Sequence, residues 1–185
     1  SASSRFNIFA PHFVFYALNE ALDKLGPALV HRGGLRILTT LDAGLQQQVE
    51  CAARSHVDRL GGADPDHAAP AADGSICAAA THLPPLRAKD VGVDRNLSNV
   101  AVVVLDPRTG EILSMLGSYD YWDKSIDGSF NVAAAGLRQP GSAFKPFTYL
   151  TAFSQGYAPA SMVLDVRTAF SLETGISYVP ENYDR

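Results

Sequence analysis

The sequence lacks several features that mark particular classes of protein. It has no basic block, and its formal net charge of −4 at pH 7 argues against a nucleic-acid binder. No apolar run approaches the ~20 residues needed to span a bilayer, and no signal peptide opens the chain, so we expect this piece to be soluble. A start methionine is also missing, and we therefore expect a piece of a longer protein.

Cysteine and histidine are scarce as well. Cys51 and Cys77 fit no metal-binding spacing, and the five scattered histidines include no ligand pair, so we expect neither a metal nor a cofactor. Cys51 falls on a predicted helix and Cys77 in an irregular region. From the sequence, a disulfide between them and two free thiols are about equally plausible.

The chain does contain enough apolar residues, 46% of 185, for a domain with a sizeable core. A helix is predicted over 11–25, because Pro11 suits a first helical turn and Gly26-Pro27 ends the run. The alternation over 35–41 predicts a strand.

A second helix is predicted to follow Asp42, which offers an N-cap, and to continue through Leu60. Its helical periodicity turns Gln46 and Glu50 outward, together with Gln47 and Gln48. The expected buried face consists of Leu45, Val49, Ala52, Ala53, Val57 and Leu60.

The region from 61 to about 98 is rich in Ala, Gly, Pro and Asp, and we interpret it as an irregular, partly mobile insertion. A β-hairpin is predicted next, with strands over 100–105 and 111–116 around a turn containing Pro107 and Gly110. Because the first strand is apolar on both faces, we expect its sheet to be covered on both sides.

The motif that organises the chain runs from Arg138 to Phe147 and contains Ser142 and Lys145. Residues three apart share a helix face. Pro146 inside a helix clashes with the carbonyl four residues earlier, so Ser142 must lie at the helix start. There its backbone N–H is free and the positive end of the helix dipole is beside its hydroxyl.

The chemistry of this pair depends on its apolar surroundings, since Lys145 is the only charged side chain from Gln139 to Leu164. Desolvation would lower the pKa of its ammonium, and a neutral lysine can activate a serine nucleophile. We expect the helix that follows to be central and buried. A Ser-x-x-Lys match also arises by chance, however, and a lone lysine usually extends to water.

Five stretches together resemble class A penicillin-binding proteins, the bifunctional peptidoglycan synthases. Arg138 to Phe147 resembles the active-site serine motif, and Ala10 to Val14 the junction after the glycosyltransferase domain. Gly34 to Gln46 resembles the start of the transpeptidase domain. Leu105 to Leu113 resembles the first hairpin of its sheet, and Tyr178 to Tyr183 a later segment. The resemblance implies a linker over 1–33 and the N-terminal part of a transpeptidase domain over 34–185.

The resemblance also implies an activity for the longer protein, a serine D,D-transpeptidase that cross-links peptidoglycan. Ser142 would be the nucleophile, with its N–H as an oxyanion donor, and Lys145 the general base. The substrates would be stem peptides ending in D-Ala-D-Ala, and β-lactams would be inhibitors. The enzyme would work at the extracytoplasmic face of the bacterial cell membrane, anchored through an N-terminal part that this chain lacks.

The family also needs a Ser-x-Asn motif and a Lys-Thr-Gly motif, and we expect neither in this chain. The substrate-binding residues are therefore unknown. We expect an α+β piece of the penicillin-binding and β-lactamase-like fold, with the hairpin packed on the buried active-site helix. The missing strands should leave an open sheet edge, and the piece itself should be inactive.

Two alternatives belong to different classes. Serine β-lactamases and β-lactam sensor domains share Ser-x-x-Lys and the fold, but they lack the glycosyltransferase junction and the transpeptidase start seen here. A non-catalytic scaffold is the other alternative. Intact Ser142 and Lys145 argue against a vestigial site in the longer protein, though not against inactivity of this piece.

Overall fold

A computed structural model describes residues 8–181, so the ends of the predicted ranges, including Tyr183, lie outside the described residues. The chain divides between Leu137 and Arg138 into two compact units. The fold mixes helices with two small antiparallel sheets, which confirms the predicted α+β class. None of the helices within residues 8–181 is long and apolar enough to cross a membrane.

Within residues 8–137, the first unit contains four α-helices and one hairpin. Its elements are α1 (Pro11–Leu25), α2 (Pro27–Arg32), α3 (Ala43–Leu60), β1 (Val102–Leu105), β2 (Ile112–Leu116) and α4 (Val132–Ala135). Both predicted long helices are confirmed. Pro11 occupies the first turn of α1, and the Asp42 side chain caps α3 by accepting the N–H of Leu45 at 2.9 Å. The short helix α2 was not predicted.

The predicted hairpin is also confirmed. Val102 pairs with Leu116, and the register shifts between Val104 and Leu105, so that Leu105 pairs with Ile112. Met115 is buried against Ala10 and Phe13, which attaches the start of α1 to the hairpin.

Gln46 joins α3 to the outer edge of β2. Its amide oxygen accepts the N–H of Met115 at 2.9 Å and the hydroxyl of Ser114 at 2.7 Å. Its amide nitrogen donates to the carbonyl of Met115 at 3.0 Å and to Glu50 at 2.8 Å. The side chain therefore pairs with Met115 much as a neighbouring strand would.

The prediction that Gln46 and Glu50 point outward was wrong, because both are buried. Apolar periodicity locates only the part of a helix surface that packs on apolar groups. The edge of β2 instead presents backbone groups that need hydrogen-bond partners once water is excluded, and polar side chains supply them.

The strand predicted over 35–41 was wrong as well. This segment has no ladder of backbone hydrogen bonds and is largely exposed. It approaches β2 only at its end, where the Thr40 hydroxyl donates to the Ile112 carbonyl at 2.7 Å and the Asp42 N–H donates to the Leu113 carbonyl at 2.9 Å. Alternation describes a half-buried surface but does not provide a partner strand.

A disulfide joins Cys51 in the middle of α3 to Cys77 in the 61–98 region. Both cysteines are buried, and they pack with Ala71 and Ala80 in a small core of their own. The disulfide resolves the choice that the sequence left open, since neither thiol is free.

The 61–98 region has no regular structure beyond the short 3₁₀ turns Ala78–His82 and Ala88–Asp90. Side chains of α3 nevertheless hold its backbone. The Ser55 hydroxyl accepts the N–H of Ala69 at 2.9 Å, and Arg59 Nε donates to the carbonyl of His67 at 2.8 Å. Backbone groups that a strand or helix would pair are satisfied here by side chains.

The second unit contains α5 (Lys145–Ser154) and a ribbon of β3 (Phe170–Ser171) and β4 (Ser177–Tyr178). The expectation of a buried helix was wrong, since α5 has no buried residue and Phe147 and Leu150 are 63% and 64% exposed. A helix that is apolar all round is buried only where layers cover it on several sides. Within the described residues, the second unit by itself contains only one ribbon of two-residue strands, which is too small to form such layers.

Candidate active site

The local backbone around Ser142 is shaped by the two residues before it. Pro140 fixes its own φ, and Gly141 has a φ of +54°, a left-handed conformation that a side chain would strain. A 3₁₀ turn then runs over Gly141–Phe144, and α5 begins at Lys145 with Pro146 in its first turn. Ser142 therefore lies in the turn that leads into the helix.

The backbone N–H of Ser142 is unpaired within residues 8–181. The neighbouring amides are used, because the N–H of Ala143 donates to the Pro140 carbonyl at 3.2 Å and that of Lys145 donates to the Ser142 carbonyl. Orphan N–H groups at a helix start attract negative charge. An oxygen that becomes negative beside Ser142 would find a donor here.

Ser142 and Lys145 lie one turn apart, but they are not hydrogen-bonded to each other in the described part of the chain. Both residues are exposed, so the apolar surroundings on which the base argument depends are not formed around Lys145 by this unit alone. A reacting pair requires contact between the hydroxyl and the amine, often achieved only when substrate is bound. The nucleophile and base therefore stay predictions.

Ionisable groups with shifted pKa values lie in the first unit. Burial lowers the pKa of His12, although its ring bonds the Gly128 carbonyl at 3.0 Å and Glu50 lies near enough to oppose the shift. Burial, followed by a hydrogen bond to Asp58 at 2.9 Å, raises the pKa of the Tyr119 phenol. Both shifts come from packing of the first unit and give no sign of catalytic chemistry there.

The expectation that no Ser-x-Asn stretch occurs in this chain was wrong in its letters, since Ser129-Phe130-Asn131 lies before Ser142. The Asn131 side chain accepts the N–H of Ala134 at 3.2 Å and so caps α4. Its amide nitrogen contacts the Met115 sulfur at 3.3 Å. Because both ends of the amide serve local structure, we assign this asparagine a structural role.

Comparison with known proteins finds a family whose model matches part of the chain. Residues 100–169 match the penicillin binding protein transpeptidase domain. The matched range contains the hairpin, the Ser142 turn and α5.

Individual relatives agree with this match. Penicillin-binding protein 1A of Neisseria cinerea is 38% identical over 96 residues, which are 51% of this chain and 12% of that protein. The protein of the same name from Neisseria lactamica is 36% identical over 94 residues, or 50% of this chain and 11% of that protein. Penicillin-binding protein 2D of Bacillus subtilis is 26% identical over 178 residues, or 95% of this chain and 20% of that protein. The chain thus spans only about an eighth of the length of the Neisseria relatives.

Proposed function

We propose that this chain comes from a peptidoglycan synthase in which Ser142 is the acylated serine. The basis is the match of residues 100–169 to the penicillin binding protein transpeptidase domain. The substrates would be peptidoglycan stem peptides ending in D-Ala-D-Ala. β-Lactam antibiotics would acylate the same serine. The relatives are penicillin-binding proteins, which favours this proposal over a β-lactamase or a sensor domain.

The proposed reaction has two steps. Ser142 Oγ attacks the carbonyl carbon of the penultimate D-Ala, while Lys145 Nζ accepts the hydroxyl proton. Breaking the peptide bond releases the terminal D-Ala, whose amino group takes the proton from Lys145. An amino group of a second stem peptide then attacks the ester, forms the cross-linking amide and returns the hydroxyl to Ser142.

The observation that carries this proposal is the unpaired N–H of Ser142 at the start of a helix, inside the matched range. In the transition state the carbonyl oxygen becomes negative, and a fixed N–H stabilises it without reorganisation. Gly141 at φ +54° sets the direction of this turn. A second donor would have to come from elsewhere in the longer protein.

The proposed setting is the extracytoplasmic face of a bacterial membrane, where a glycosyltransferase domain and an anchor would precede this chain. The disulfide between Cys51 and Cys77 supports this location, because disulfides persist in oxidising compartments and are rare in the cytosol.

We further propose that residues 1–185 alone acylate very slowly. Losing one oxyanion donor costs about 2.7–4 kcal/mol, and losing substrate positioning can cost up to ~7–11 kcal/mol. Ser142 and Lys145 are also exposed and not bonded to each other, so this chain does not hold them ready to react.

Labelling with a fluorescent penicillin tests both parts of the proposal. The full transpeptidase domain should be labelled once per chain, and its Ser142→Ala variant should not be labelled. Residues 1–185 should show no appreciable labelling under the same conditions. Labelling of the Ser142→Ala domain would overturn the nucleophile assignment, and rapid stoichiometric labelling of residues 1–185 would overturn the inactivity.

A further inference from the structure

The first unit contains a cavity of about 400 Å³ between the start of α1, the middle of α3, the 61–98 region and the loop after β2. This volume is within the range of small-molecule sites. The lining combines aromatic faces with hydrogen-bonding side chains. The groups that carry the argument are Phe9, Gln47, Glu50, Arg54, Asp73 and Trp122.

Two aromatic side chains line this cavity, and both are partly exposed, Phe9 by 39% and Trp122 by 37%. The indole of Trp122 packs against a neighbouring aromatic ring. Tyr121 meets it edge-on with ring centroids 4.8 Å apart, and Phe15 stacks on Tyr121 at 5.5 Å. An exposed aromatic ring held by other rings is a rigid surface whose ordering costs little on binding.

The polar side chains at the cavity differ in how many hydrogen bonds they make within the protein. Glu50 accepts from Arg54 at 3.4 Å, and Arg54 Nε donates to the Tyr119 carbonyl at 3.0 Å, which fixes the guanidinium at the cavity wall. The Gln47 amide makes no hydrogen bond in the described part of the chain. Asp73 accepts the N–H of Ser75 at 2.9 Å and also interacts with the Ser75 side chain, and its carboxylate is exposed.

This combination selects a class of ligand. Among the described residues that line the cavity, the carboxylates of Glu50 and Asp73 outnumber the one cation, Arg54, so an anionic phosphate or nucleotide is disfavoured. A purely apolar ligand would leave the amide, carboxylate and guanidinium without partners. A pyranose sugar has an apolar C–H face for an aromatic ring and hydroxyl or amide groups around its rim that both donate and accept.

We propose that this cavity binds a saccharide, and that its occupant is an uncharged amino-sugar segment of a glycan strand. The sugar would stack on Trp122 and bond its rim groups to Gln47, Arg54 and Asp73. The choice of an amino sugar rests on the proposed peptidoglycan function. Saccharide binding itself rests only on the cavity.

The test uses Trp122, the single tryptophan of the chain, as its reporter. Residues 1–185 are titrated with the β-1,4-linked trimer of N-acetylglucosamine, a probe without peptide, while the tryptophan emission is followed. A saturable change in emission is expected. The double variant Gln47→Ala/Asp73→Asn should bind about tenfold or more weakly, because it loses one neutral and one charge-assisted hydrogen bond. Asparagine keeps the oxygen that caps Ser75.

Three control variants test whether a change in trimer binding is specific to this cavity. Gln155→Ala, the same truncation at an exposed residue of the second unit, should bind the trimer normally. Ser142→Ala should also bind normally, so saccharide binding and acylation succeed or fail separately. Trp122→Ala, measured by calorimetry, should lose binding while keeping its circular dichroism spectrum.

Several results would overturn the proposal. The first is that the tryptophan emission shows no saturable change at millimolar concentrations of the trimer. Another is equal affinity of the double variant and the unaltered chain. A third is displacement of the trimer by a stem pentapeptide that causes the same emission change, since the cavity would then be a peptide site.

Discussion

At the scale of single residues, polar side chains in the first unit perform tasks that the hydrophobic pattern does not reveal. Gln46 and His12 are both buried, and each bonds a backbone group far away in the sequence. Their burial was not predictable, because polar letters in a helical pattern are normally read as its solvated face. Only the position of β2 determines that Gln46 has partners there.

Replacing Gln46 tests its role at the edge of β2. Gln46→Leu preserves the approximate size but leaves the N–H of Met115 and the hydroxyl of Ser114 unpaired and buried, at about 1–3 kcal/mol each. Urea unfolding should therefore show a loss of about 2–6 kcal/mol. The neighbouring substitution Gln47→Leu, which removes no hydrogen bond, should change the unfolding free energy by less than about 0.5 kcal/mol. Equal effects of the two substitutions would contradict the assignment.

His12 gives the first unit a pH dependence with a defined sign. Burial lowers the pKa of His12 below 6.5 in the folded chain, so the unfolded chain takes up its proton first as the pH falls. The contribution of His12 to stability is complete above about pH 6.5 and is lost as the pH falls through the folded pKa. His12→Gln keeps a donor for the Gly128 carbonyl but cannot titrate.

The corresponding measurement compares urea midpoints at pH 7.5 and pH 5. The unaltered chain should lose more stability than His12→Gln over this interval, since only the former takes up a proton at residue 12 on unfolding. The other four histidines are common to both chains and cancel in the difference. A steeper loss in His12→Gln than in the unaltered chain would show that the sign is wrong.

At the scale of elements, the parts of the fold that carry explicit end signals were predictable. Pro11 and Gly26 delimit α1, Asp42 caps α3, and the Asp106 to Gly110 turn joins the hairpin. These signals act within a few residues and do not depend on the rest of the chain. The segment 35–41 was not predictable, because a strand exists only where another strand accepts it.

The Cys51–Cys77 disulfide is the element-scale feature with the largest expected effect. It closes a loop with a sequence separation of 26. The chain-entropy relation gives about 3.5 kcal/mol for a loop of this length. A reductant should therefore lower the urea midpoint of the unaltered chain substantially. The double variant Cys51→Ser/Cys77→Ser should have the same lowered midpoint even when no reductant is present. A reductant effect that persists in the double variant would contradict this origin.

At the scale of the whole molecule, the position of Ser142 was predictable while its surroundings were not. Pro146 constrains where the helix begins from its own ring geometry, and the structure has Ser142 in the turn before α5. The burial of α5 depends on layers that two residues per strand in β3 and β4 do not provide. The position of Ser142 in the backbone could be predicted from the motif, whereas the burial of the helix after it depends on the complete set of layers.

Exposed apolar side chains on α5 predict association of residues 1–185. Phe147, Leu150 and Phe153 are 63%, 64% and 42% exposed, which is unusual for one helix of a soluble domain. Sedimentation velocity should show oligomers that increase with concentration, and Leu150→Lys should shift the distribution toward monomer. The matched change Thr168→Lys, at an exposed residue outside the helix, should leave the distribution as it was. Monomer at all concentrations would contradict the prediction.

The amide of Gln46 also limits the side on which the small sheet can be extended by another strand. Because that amide occupies the backbone groups of Met115, no further strand can add beside β2 at this point. Val103 lies opposite Met115 and turns its own N–H and C=O away from β2. Further strands can therefore add to this sheet only beside β1, and the first of them must pair with β1 before any other can join.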